Sequence, residues 1–209
     1  NTETIDALRL NYLVDDYSAW SGGLNVAGTL TNSNTGRIFH AGTLAATTLD
    51  NDGIIDVVAF LDEDTQTRTL AVTHLTGDGA ISLVTSSYTD DEGAVTTVTP
   101  DLVIDLSGDS EFAGVIEGSG NVTKAGAGNL QVSGAQTFTG DFKVSEGYVE
   151  TLAGGTFADE INIQVASGAQ MTTRQDDVVN SITIDAGAVF NQDANITTST
   201  EILQNGSMN

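Results

Sequence analysis

The amino-acid sequence predicts an all-β chain wound as a right-handed parallel β-helix, that is, a β-solenoid. Three observations predict it. The 209 residues contain 23 glycines, a single proline at Pro100 and an abundance of Ser, Thr and Asn, and they lack long stretches of strong helix formers. Short apolar runs alternate with period two, which puts one row of side chains on an inner face and a row of Thr, Ser, Asn or Gln on the outer face. Glycines follow these runs at a near-constant interval, and at 168, 187 and 206 they stand 19 residues apart.

The second half carries the clearest copies of this pattern. Ile161, Ile163 and Val165 precede Gly168 and Met171; Ile182 and Ile184 precede Gly187, Val189 and Phe190; Ile202 and Leu203 precede Gly206 and Met208. Earlier copies are Leu130, Val132 and Gly134, then Phe142, Val144, Gly147 and Val149, and near the start Leu24, Val26, Gly28 and Leu30. A strand, a glycine bend with positive φ and a second strand cannot bury an apolar face alone, so successive copies must stack. Coils of roughly 20 residues give about eight to ten coils and a rod on the order of 40–50 Å. An antiparallel sandwich also uses many short strands, but its loops vary in length, whereas coils stacked in register keep a fixed interval.

Residues 1–22 are expected to form an N-terminal cap, in which Tyr12, Tyr17 and Trp20 cluster beside Asp15 and Asp16. These aromatics suit either covering an open coil end or stacking on a sugar ring, and the cap is the simpler assignment. Residues 23–100 read as irregular coils with two excursions. One runs from Val57–Phe60 over Asp62, Glu63 and Asp64 to Thr69–Leu75, as a hairpin or an expanded coil; the other runs from Leu83–Tyr88 over Asp90, Asp91 and Glu92 to Ala94–Val98. Residues 101–209 read as regular coils, and the whole is one continuous domain.

Charge and composition narrow the function. With 29 acidic against 6 basic residues the formal net charge is −23, which disfavours nucleic acid and anionic lipid as partners. The absence of cysteine removes disulfides, thiolate metal sites and thiol nucleophiles. No apolar run approaches the roughly 18 residues needed to span a bilayer, so membrane insertion is not expected. The sequence begins at Asn1 with no signal peptide and reads as a processed chain or a slice of something longer. His40 and His74 stand alone, without the spacing of a triad or metal cluster, so no catalytic residue is expected. Calcium is the one cofactor for which residues can be named: Asp50, Asp52 and Asp56 flank Asn51 and Gly53 as in an acidic calcium loop, although Thr48 and Ala59 stand where such a loop would begin and close. Asn-Asp-Gly is also a good turn in its own right, and that is the simpler reading.

The middle of the chain adds a resemblance. Residues 101–152 contain Gly114-Val115-Ile116 with Gly118-Ser119-Gly120, then Val122-Thr123-Lys124 with Gly126 and Gly128. Leu130-Gln131-Val132-Ser133-Gly134, Thr137-Phe138-Thr139-Gly140 and Val144 with Gly147 follow. This resembles the passenger-associated transport repeat, also called the autotransporter-associated β-strand repeat. Asp141 and Phe142 depart from that family's small Gly-Thr-type pair, and Glu146 stands where Asn or Gly is common. The resemblance implies an exported bacterial passenger or adhesin region with a right-handed parallel β-helix and no catalytic residues. The expected role is therefore a non-enzymatic, extracellular structural or adhesive scaffold at a bacterial surface or in a biofilm matrix. Its expected partners are host or neighbouring cell surfaces, glycans or matrix. The alternatives are a filament subunit that stacks end to end on copies of itself, a carbohydrate-binding module, or a β-helix enzyme acting on polysaccharide.

Overall fold

The structure is a computed structural model and describes residues 24–40, 43–58, 68–89 and 92–209. Tyr12, Tyr17 and Trp20, and with them the expected cap, lie outside the described residues. Among the described residues there are 22 strands, numbered in chain order, and no helix. All pair in parallel except one hairpin, and the stack is a β-solenoid of about 8 turns.

Each coil has three sides rather than the two strands per repeat expected from the sequence. The first side is the long one. It stacks β1 (Leu24–Asn32), β3 (Thr43–Asn51), β5 (Thr69–Val72), β10 (Asp101–Asp105) and β13 (Asn121–Ala125). Above them come β15 (Asp141–Val144), β17 (Asn162–Val165), β19 (Asp177–Ile184) and β21 (Ile196–Gln204). At about 4.8 Å per rung these nine strands extend on the order of 40 Å. The second side begins with β6 (Leu75–Thr76), paired to the end of β3, and β11 (Ser110–Phe112). It continues through β14 (Asn129–Val132), β16 (Tyr148–Thr151), β18 (Gln170–Thr173), β20 (Val189–Gln192) and β22 (Ser207–Met208). The third holds β2 (Arg37–His40), β4 (Ile54–Val58), β7 (Ala80–Val84) and β12 (Val115–Gly118).

Register explains why this sequence folds so. On the first side Leu44, Leu70, Leu102, Val122, Phe142, Ile163 and Ile182 stand one above another, all buried. From Leu102 upward the interval is 19 to 21 residues; below it the intervals are 26 and 32, where the two excursions leave the rod. The second side stacks Leu130, Val149, Met171 and Phe190, and the third stacks Ile38, Ile55, Ile81 and Ile116. A slip by one residue would turn any of these columns outward, so the columns fix the register.

Both excursions start at the same corner, where the third side turns into the first. The later one is the expected hairpin: β8 (Ser86–Thr89) runs antiparallel to β9 (Val95–Val98). The earlier one is an expanded coil, because β4 and β5 lie on different sides, each paired in parallel to other coils. Its acidic tip lies outside the described residues. Gly168 and Gly187 adopt the expected positive φ, 82° and 84°, whereas Gly206 does not. Gly206 is needed for space instead, since a Cβ there would stand 2.4 Å from the Asp185 carbonyl oxygen.

Candidate functional surface

Among the described residues the inner positions are filled by the columns, so the surface offered for contact is the outer rows. On the first side the outer row reads Asp101, Asn121, Asp141, Asn162, Ser181, and it is a ladder of hydrogen bonds. The Asn121 amide donates to Asp101 (3.1 Å), the Asn162 amide donates to Asp141 (2.9 Å), and the Ser181 hydroxyl donates to Asn162 (2.8 Å). Asn121 Oδ1 in turn accepts from the Asp141 backbone N–H. Placing a neutral amide between carboxylates keeps like charges two rungs apart, about 9.6 Å.

The second side carries a denser cluster. Gln131 Nε2 donates to Glu150 (3.1 Å), Arg174 Nε donates to the other oxygen of Glu150, and Arg174 Nη1 donates to Asp193 (2.9 Å). Four successive coils are thereby laced together. Glu150 points outward yet is buried beneath this network, and its carboxyl is held below the usual carboxylate range, first by the Gln131 hydrogen bond and then, against the cost of burial, by Arg174. One rung-row away, Ala127, Asn129, Gly147, Tyr148, Gly168, Gln170 and Asn191 line an open cleft of about 420 Å³.

Where the third side loses its regular strands above β12, side chains replace the ladder. Gln136 is buried, accepts the Ile116 N–H (2.9 Å) and donates to the Gly114 (3.0 Å) and Gly134 (2.8 Å) carbonyls. Asp177 accepts the Phe157 (2.7 Å) and Val178 (3.0 Å) N–H groups. Burial pushes the Asp177 carboxyl up, the two amides pull it back, and Asp159 pushes it up further. Phe138, Phe142 and Phe157 fill the space behind, with ring centroids 6.3 and 5.1 Å apart. Neither Gln136 nor Asp177 was legible as a site, because a polar residue in a turn-rich stretch reads as solvated.

Lys124 places a charge inside the rod. Lys124 occupies an inward position between Ile104 and Val144 and is fully buried. Its ammonium donates to the carbonyls of Ala125 (2.8 Å), Gly126 (2.6 Å) and Glu146 (2.9 Å), bolting the corner of one coil to the corner of the next. Burial lowers its pKa, with the Glu146 and Asp105 charges acting in the opposite sense. Gly147, at φ 73°, leaves room for it: a Cβ there would stand 2.7 Å from Nζ.

No protein-family profile, curated protein or solved structure matches the chain.

The carboxylates singled out for calcium have separate roles. Asp50 accepts the Thr76 hydroxyl (3.1 Å), Asp52 is exposed in the turn after β3, and Asp56, on the third side, is paired with Arg37 (2.6 Å). Among the described residues no group of three or more His, Asp or Glu is placed to hold a metal ion.

Proposed function

We propose that this chain is a non-catalytic structural and adhesive segment of a bacterial surface or matrix protein, of the passenger-repeat type that residues 101–152 resemble. One observation carries the reading: several outer charged groups hold coil to coil. Glu150 and Asp193 share the guanidinium of Arg174, and Asp101 and Asp141 accept from the amides of neighbouring coils. Such bonds stiffen a rod along its axis while leaving a repeating polar exterior for contact.

Ile202 is 40% exposed although its registered partner Ile182 is fully buried, so a further coil, whether of a longer chain or of a second copy, would bury more apolar surface.

Beads coated with the purified chain test the adhesive reading. They are expected to clump or to attach to bacterial cell layers in proportion to coating density, and saturable cleavage of a polysaccharide or ester, abolished by one carboxylate substitution, would overturn it. Sedimentation velocity of the same protein reads stacking as a concentration-dependent series of species.

A further inference from the structure

The protein carries 29 acidic residues, yet the cleft beside β16 is lined by none of them and by no base. Its lining is one aromatic ring, three primary amides and three small residues. Tyr148 stands in the outer row between Asn129 below and Gln170 above, in register on successive coils. Two glycines at positive φ, Gly147 (73°) and Gly168 (82°), flank the row at the corner. No heavy atom lies within 4 Å of the place a Gly168 side chain would start, so that flank of the cleft is open. The amides are unequally engaged. Asn129 donates to Asp109 (2.7 Å), and Asn191 donates to Thr172 (3.3 Å) and accepts from the Asn209 amide (3.1 Å), whereas the Gln170 side chain is exposed and makes no hydrogen bond among the described residues.

Rigid backing distinguishes this place from other polar surface. The row next to Tyr148 is the Gln131, Glu150 and Arg174 network, and the corner beneath Gly147 is fixed by the Lys124 ammonium. Sites on strands whose neighbours are locked by hydrogen bonds hold their geometry better than sites on loops. An aromatic ring offers an apolar face to the C–H face of a pyranose, amides donate and accept to its hydroxyls, and a charge-free lining costs no ion desolvation.

We propose that the Tyr148 cleft binds a neutral hexopyranose glycan, with the ring of Tyr148 as the stacking platform and Gln170, Asn129 and Asn191 as the hydroxyl-recognising amides. This deepens the adhesive reading by naming the chemistry of the contacted surface, and it rests on that reading. Two rungs span about 9.6 Å, so the row from Asn129 to Gln170 accommodates roughly one disaccharide unit along the rod.

Affinity electrophoresis of the whole chain in gels containing hydroxyethylcellulose, glucomannan or dextran tests it, with polygalacturonate as the anionic control. At least one neutral gel is expected to retard the chain and the anionic gel is not. Tyr148→Ala is expected to weaken retardation at least tenfold, and Tyr148→Trp to retain it. Gln170→Glu, an exposed change that leaves the core untouched, is expected to weaken it as well. Circular dichroism and thermal melting of each variant confirm that the coils remain folded. Absence of retardation in every neutral gel, or retardation undiminished by both Tyr148→Ala and Gln170→Glu, overturns the proposal. Bead clumping that survives Tyr148→Ala would leave the adhesive reading standing while removing this site from it.

Discussion

Replacing Lys124 tests whether a charge in the core is there for the backbone or for packing. Its ammonium serves three carbonyls, of which Ala125 O also takes the Leu106 N–H (3.0 Å) and so would keep a donor. The Gly126 and Glu146 carbonyls would not. Orphaning two part-buried acceptors costs up to about 1–3 kcal/mol each, less where water reaches the corner at Glu146, and removing the ammonium returns part of that by ending its own desolvation. Lys124→Met keeps an unbranched stem between Ile104 and Val144, so its net destabilisation is expected at about 2 kcal/mol. Lys124→Ala also strips the stem from the column and is expected to lose about 2 kcal/mol more, before any cavity contribution.

The assay is urea denaturation followed by circular dichroism, combined with hydrogen exchange at Leu106 and Gly128, whose amides bond within this corner. Local exchange matters because coils of a solenoid can open in groups rather than all at once. A pH series separates electrostatics from packing. Burial lowers the lysine pKa in the folded chain, so the unfolded chain binds more protons between the folded value and about 10.4. Stability of the native protein relative to Lys124→Met should therefore rise with pH across that alkaline window. A Met variant as stable as the native protein at neutral pH, or a stability gap that shrinks on raising the pH, would refute the reasoning.

Four further outcomes are expected. Gly147→Ala should destabilise the same corner by more than about 1 kcal/mol, since its Cβ would lie 2.5 Å from the Gly126 and Gly128 carbonyl oxygens at a positive φ, and Leu106 exchange should report it. Gln136→Ala should cost about 2–4 kcal/mol, read by thermal melting, because Ile116 N–H and two carbonyls would lose their side-chain partner. Thr173→Val should stabilise by about 1 kcal/mol, because the buried Thr173 hydroxyl has no hydrogen-bond partner among the described residues and a methyl needs none; a lower melting point would contradict it. For Glu150 the folded pKa lies below the unfolded one, so its contribution is present above the ordinary carboxylate value of about 4.3 and is lost as pH falls through the folded pKa. Melting curves of Glu150→Gln and the native chain should accordingly converge in acid.

The parts of this fold that show in the sequence are those governed by period and repetition. Alternation across Ile161, Ile163 and Val165, and its return at Ile182 and Ile184, gives strand, inner face and stacking together, and the structure places Ile163 over Ile182 as that pattern requires. The third side does not show, for a physical reason. Above β12, Gln136 and Phe157 meet in a single bridge and Asp177, at the start of β19, accepts the Phe157 N–H, so between these coils side-chain bonds stand in for a ladder and no alternation is needed. Residues 50–56 appear as one acidic loop in sequence, but the chain turns a corner within them, so Asp50 and Asp56 finish on different sides. The Tyr148 row escapes a linear reading because its members lie 19 to 22 residues apart and become neighbours only once the coils stack.

That same stacking explains why so acidic a chain can close into a rod at all. Superposed coils bring every outer position to within about 4.8 Å of its equivalent, where carboxylate on carboxylate would oppose assembly. Two outer rows avoid this by alternation in the sequence: Asp101 is followed by Asn121 and Asp141 by Asn162, while Glu150 is flanked by Gln131 and Thr172. Each amide donates to the acid beside it in three of these pairs, so residues that would repel become inter-coil bonds. Exchanging Asn162 for Asp would put two carboxylates on adjacent rungs and remove the donor to Asp141 at once. In these rows the neutral partner on the adjacent rung ties the outer sequence to the coil interval, because an insertion that brought acid over acid there would lose the bond and add a repulsion even with the inner columns in place.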